Sequence, residues 1–152
     1  MRLTYFSDYA FRVLIYLALN PGRRCTIKEI SVAYGISRAH LMKVVNTLAR
    51  AELVIAQRGP NGGLTLAVPP EQLRLGEVVR RTEDDLALVE CFRPGNACRL
   101  TPSCALAGAV QRALEAFLAE LDKQTLADMV SGRETQMLAL LEPPVPAPTA
   151  RR

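Results

Sequence analysis

The sequence predicts a mainly α protein, a winged helix-turn-helix domain with a long C-terminal dimerisation helix. Three observations carry that prediction. Two short amphipathic helices meet at a tight turn containing Gly35. Two β-prone runs separated by a glycine-rich segment follow them directly. A long apolar stripe at helical spacing then runs from Leu106 to Leu121.

The elements follow in order. Phe6, Tyr9, Ala10, Val13, Leu14, Leu17 and Ala18 recur at helical spacing, which predicts a helix over residues 5–19, stopped by Asn20-Pro21-Gly22. Thr26 and Glu29 form a capping box that opens a second helix, ending near Tyr34-Gly35. Ser37 caps a third, whose Leu41, Val44, Val45 and Leu48 share one face. Residues 53–57 and 64–67 read as paired strands, and Asn61-Gly62 between them favours a hairpin turn, the wing. Pro69-Pro70 marks its exit, and a short helix over 74–81 closes a DNA-binding domain of residues 1–82.

Residues 83–104 have no strong period and contain Pro94 and Gly95, so they form a loop. Thr101-Pro102 supplies an N-cap and a first-position proline for the long helix with Leu106, Val110, Leu114, Phe117 and Leu121. A one-sided stripe of that length at the end of a small domain predicts packing against a second copy, rather than only on its own domain. Residues 101–141 are thus a dimerisation helix with a weakly helical continuation. The proline-rich residues 142–152 are expected to be a disordered tail.

Composition bounds the function. At 152 residues the chain has room for one domain plus an extension, and 49% hydrophobic against 22% charged residues is a globular balance. Asp8 and Arg12 interrupt the apolar N-terminal stretch, so it reads as a core helix and not as a signal peptide or a membrane span. A cytoplasmic protein is the expectation. Residues 1–70 carry nine Lys/Arg against three Asp/Glu, and the remainder ten against twelve. A basic half joined to a slightly acidic one predicts a polyanion partner for the first. With no paired acid/base constellation, nucleotide loop or nucleophile–base motif, the sequence argues against an enzyme.

The polyanion expected is double-stranded DNA. The third helix begins Ser37-Arg38-Ala39-His40 and continues to Lys43, and the N-terminal turn of such a helix enters the major groove. Arg38 can donate twice to a guanine edge, and His40 can reach a base or a phosphate. Thr26 and Ser37 stand at helix N-termini, where backbone N–H groups favour phosphate. Arg58 at the wing can enter the minor groove or clamp a phosphate, and Asn61 and Gly62 allow the wing backbone to approach closely.

Four cysteines remain to be explained: Cys25 alone, and Cys91, Cys98 and Cys104 at intervals of six and five residues. No Cys-x-x-Cys pair is present, which argues against a structural zinc ribbon. The helix start near Cys104 would stabilise thiolates. A metal or an iron–sulfur cluster, a thiol redox switch and three structural thiols all fit the spacing. A cluster would need a fourth donor: a non-cysteine group, a small ligand, or Cys25.

At this point the sequence resembles a known family of small winged-helix regulators, which includes the iron–sulfur regulator IscR, and within it the nitric-oxide-sensitive repressors. The matching stretches are Leu3-Thr-Tyr-Phe-Ser-Asp-Tyr-Ala10, Tyr34-Gly-Ile-Ser-Arg-Ala-His-Leu-Met-Lys43, Arg58-Gly-Pro-Asn-Gly-Gly63, and the cysteine triad with Thr101-Pro-Ser-Cys104. The resemblance spans about residues 1–135. It implies a cluster on Cys91, Cys98 and Cys104, of the 4Fe–4S type with 2Fe–2S as the alternative, and Asp8 of the partner subunit as fourth ligand. IscR-like members use a histidine shortly after the third cysteine; here Ala107 stands there. The function implied is a homodimeric repressor that holds operator DNA while its cluster is intact and releases it when nitric oxide reacts with that cluster. The alternative is an iron–sulfur status or redox-responsive regulator of the same family.

Overall fold

A computed structural model describes residues 2–142; the expected disordered tail lies, from residue 143 on, outside the described residues. Thr4 starts the first helix, α1 (Tyr5–Ala18), by accepting the Ser7 N–H at 3.3 Å. Its apolar face, Ala10, Val13, Leu14 and Leu17, is buried. The capping box is present at α2 (Ile27–Tyr34), and Gly35 ends that helix with a φ of +65°, a left-handed conformation that suits glycine. Ser37 caps α3 (Arg38–Arg50), whose Leu41, Val44, Val45 and Leu48 close on α1. Helices as short as α2 do not hold alone in water. Burial of each Leu or Val contributes about 1.5–3 kcal/mol and fixes them.

The wing is the antiparallel pair β1 (Val54–Gln57) and β2 (Gly63–Leu66), in register from Val54↔Leu66 to Gln57↔Gly63. Cys25 lies on the other edge of β2 and exchanges hydrogen bonds of 3.0 and 2.7 Å with Leu64. The hairpin turn differs from the expectation. Pro60 and Asn61, not Asn61 and Gly62, are its central residues, because the Gly62 N–H donates to the Gly59 carbonyl at 2.9 Å. Proline's fixed φ suits the second position of such a turn, and it has no N–H with which to extend a strand.

After α4 (Leu75–Thr82) the chain runs through an irregular loop to α5 (Ala105–Asp122). Thr101 and Pro102 do not begin α5; they form a separate 3₁₀ turn, Thr101–Ser103, and Cys104 takes the N-cap position. The reason is local: the Thr101 hydroxyl bonds the Cys98 carbonyl at 2.9 Å and Asn96 Oδ1 at 2.8 Å, closing the loop instead of the helix.

The C-terminal half of α5 packs on α4, and the chain then returns to the N-terminal core. Leu126 donates to the Leu73 carbonyl at 2.8 Å, and α6 (Leu126–Val130) packs on α1 with Leu126 fully buried. A last helix, α7 (Glu134–Leu141), follows. Among the described residues no helix is long and apolar enough to cross a membrane.

Candidate DNA interface and cysteine loop

The N-terminal turn of α3 presents Ser37, Arg38, Ala39 and His40 to solvent, and Lys43 stands exposed one turn on. Thr26 at the start of α2 is exposed, as are Arg58 and Asn61 on the wing, while Gly62 is half-buried. Gly62 is confined by its own turn: a Cβ there would lie 2.3 Å from the Gln57 carbonyl oxygen. The Thr26 and Ser37 hydroxyls are already engaged as caps, accepting from Glu29 N–H at 3.2 Å and His40 N–H at 3.3 Å. An anion at these helix starts would therefore meet the remaining first-turn amides rather than the hydroxyls. The His40 ring lies 6.2 Å from that of Tyr9, and both line a cavity of about 270 Å³ with Tyr5, Phe6, Lys43 and Val44. α3 and α1 thus share an apolar seam.

Asp8 stands in the first turn of α1, where the helix dipole favours a carboxylate. It accepts from Arg12 at 2.8 and 3.0 Å. The Arg12 guanidinium also lies 5.9 Å over the Tyr9 ring and 5.8 Å over the Tyr34 ring, at cation–π distance. Burial pushes the Tyr34 hydroxyl up to about 12, so that ring stays neutral.

A polar knot joins the start of α1 to the end of α4. Glu83 accepts from the Thr4 N–H at 2.8 Å, from Thr4 Oγ1 at 3.0 Å and from the Ser7 hydroxyl. Buried Ser7 also meets Thr82 Oγ1 at 2.8 Å. The carboxylate of one element thereby caps the positive end of another. Sequence reasoning missed Glu83. The signal available was an acidic residue directly after Arg80-Arg81-Thr82, at a helix end that favours cations.

Beyond Glu83 the loop carries Cys91 on a 3₁₀ turn (Glu90–Phe92), Cys98 exposed, and Cys104 at the N-cap of α5 with no capping bond from its side chain. Arg93 and Asp85 brace it at 2.6 Å, and Glu90 accepts the Ala97 N–H at 3.0 Å. The Ala87 N–H and Arg93 hold the Asp85 carboxyl below its ordinary value. The three loop thiols are unbridged and at least partly open to solvent. Soft, accessible thiols are the donor chemistry of iron–sulfur ligation, and Cys104 has a helix N-terminus beside it. Among the described residues, however, no three Cys, His, Asp or Glu side chains converge as a metal site. The chain carries these three thiols on one loop. Cys25 is different: fully buried under the wing, its thiol is pushed up by burial. It is a core residue and not an available fourth donor.

Residues 3–132 match the family model described as Rrf2, iron-dependent transcriptional regulator. The chain belongs to the Rrf2 family. It is 46% identical over 142 residues to the HTH-type transcriptional regulator NsrR of Bacillus subtilis (strain 168), covering 92% of this chain and 97% of that protein. The oxidized form of Staphylococcus aureus CymR superposes with a TM-score of 0.68 at 26% identity, over 86% of this chain and 97% of the other. T. potens IscR shares the fold, with a TM-score of 0.69 at 24% identity over 86% of each chain. The Rrf2 chain is accordingly a transcriptional regulator and a homologue of NsrR, and its winged-helix fold is that of its family.

Proposed function

We propose that this Rrf2 protein is a cytoplasmic, nitric-oxide-sensing repressor that binds operator DNA as a homodimer and releases it when nitric oxide arrives. The observation that carries the reading is the knot at Glu83. It ties the root of the cysteine loop to the start of α1, the helix that carries Asp8 and packs on α3. In this reading Cys91, Cys98 and Cys104 of one subunit and Asp8 of the partner subunit hold an iron–sulfur cluster, 4Fe–4S in type. Bound there, the cluster supplies iron sites at which nitric oxide reacts.

The protein's own residues do the rest. The Asp8–Arg12 pair is exposed and separated by one helical turn, so it contributes only about 0.3–0.5 kcal/mol. Asp8 can thus leave Arg12 for a stronger partner at little cost. Arg12 stays in place between Tyr9 and Tyr34, which preserves the seam between α1 and α2. A carboxylate held from across a dimer fixes the angle of α1, and α1 sets the seat of α3 through the Tyr9–His40 contact. Operator half-sites demand a fixed separation of the two recognition helices, so a small rotation of α3 is costly. Arg38, His40 and Lys43 would read the major groove from α3, with Ala39 close against it. Arg58, Asn61 and Gly62 would follow the minor groove, and the first-turn amides behind Thr26 and Ser37 would hold phosphates.

The second copy is supported by α5, whose apolar stripe is only partly covered within the chain. Leu114 is buried and Phe117 half-buried, but Leu106 is 67% exposed. The deciding measurement is anaerobic operator binding by the reconstituted protein with and without nitric oxide. Loss of affinity on addition is expected. Unchanged affinity sinks the reading, and a response to cluster removal alone would favour the iron–sulfur status regulator.

A further inference from the structure

Residues 57–61 of the wing are all exposed, so the core does not hold the tip in place. We propose that Arg24 is a positioning residue for the wing, fixing the tip on which Arg58 and Asn61 stand and so setting operator affinity without reading a base. The inference rests on the DNA-binding reading above. Arg24 Nη1 donates to the Asn61 carbonyl at 2.9 Å, across 37 residues of sequence.

The base of this clamp is rigid. Cys25, the next residue, is bonded in both directions to Leu64 of β2. Arg23, the preceding one, is held by Glu29 at 2.5 Å and by Asn20 at 3.0 and 3.3 Å. The returning strand runs against the Arg24 stem, since a Cβ at Gly63 would lie 2.9 Å from Arg24 Cβ and 3.1 Å from the Cys25 carbonyl oxygen. Arg24 therefore reaches the tip from a fixed platform. Its bond joins the carbonyl of the very turn that Pro60 and Asn61 form, which restrains the tip in the free protein and lowers the ordering cost of docking it.

A competing role for the same cation is a direct phosphate contact, and a mutant cycle separates the two. The probe is a labelled duplex selected from a random-sequence pool by the full, anaerobically reconstituted chain. Arg24→Met keeps the stem and removes the donor; it is expected to weaken binding about fivefold, the factor that one ordinary hydrogen bond represents. In a background carrying both Arg58→Ala and Asn61→Ala that loss should fall below about twofold, because the side chains being positioned are gone while the Asn61 carbonyl remains. Full additivity would assign Arg24 to a phosphate and overturn the clamp.

Hydrogen exchange without DNA gives the second arm. Arg24→Met should speed exchange at the Gly62 amide, which closes the tip turn on the Gly59 carbonyl, and leave the Cys25 and Leu64 amides unchanged. Unaltered exchange at the tip also overturns the proposal. A wild-type chain that selects no duplex defeats the DNA-binding reading itself, and the exchange arm still decides the clamp.

Discussion

Glu83 shows most clearly how a single side chain can join two parts of this protein. It accepts three hydrogen bonds from Thr4 and Ser7, and two of those donors would otherwise be open groups at the positive end of α1. Glu83→Ala should lower unfolding stability by about 1–3 kcal/mol, as loss of a charged acceptor does, and this is read from a urea midpoint at unchanged slope. A shift too small to resolve would mean that water replaces the carboxylate without loss. The residue also marks the reach of sequence reasoning. The Thr26 and Ser37 caps and the first turn of α3 were legible because their chemistry is local to a helix start. The partners of Glu83 lie 76 and 79 residues away, and no local pattern announces that contact. Asn61 was placed in the right loop, but the turn went to Pro60-Asn61 because the strands stop pairing at Gln57↔Gly63.

Among the elements, α4 and α5 approach closely, and Gly76 permits it. A Cβ at that position would sit 2.1 Å from Asp122 Oδ1 and 3.0 Å from the Leu118 carbonyl oxygen. The side chain has little room to yield, because Arg80 grips both Asp122 oxygens at 2.9 and 2.6 Å. In an open helix Gly→Ala would gain about 1 kcal/mol. Here Gly76→Ala should instead cost about 1–3 kcal/mol and break the Arg80–Asp122 pair, checked by thermal unfolding and by the structure of the variant. A stabilised variant would show that the two helices are free to part. Helix types and the wing were readable from periodicity and caps. The start of α5 was not, because Thr101 spends its hydroxyl on Cys98 and Asn96. Nor was the return of α6 to the α1 core, a long-range contact that follows from the buried Leu126.

For the molecule as a whole, the question is what covers the outer face of α5. Leu100 is 70% exposed and Leu106 67%, both bordering the last cysteine. A second copy is the covering proposed, so light scattering should return twice the 16.7 kDa chain mass. Leu106→Asp, which disturbs no buried contact of the single chain, should shift the protein toward that single mass; a wild-type monomer would end the dimer model. The burial of Cys25 has a consequence of a different kind. An alkylating reagent or oxidant diffusing up to the metal-free protein meets three sulfurs at once, whereas the fourth is shielded by the wing and favours its unreactive protonated form. The rate at which Cys25 is labelled therefore keeps time for the parting of wing and helix, and a mass spectrum can read that clock with neither iron nor DNA in the tube.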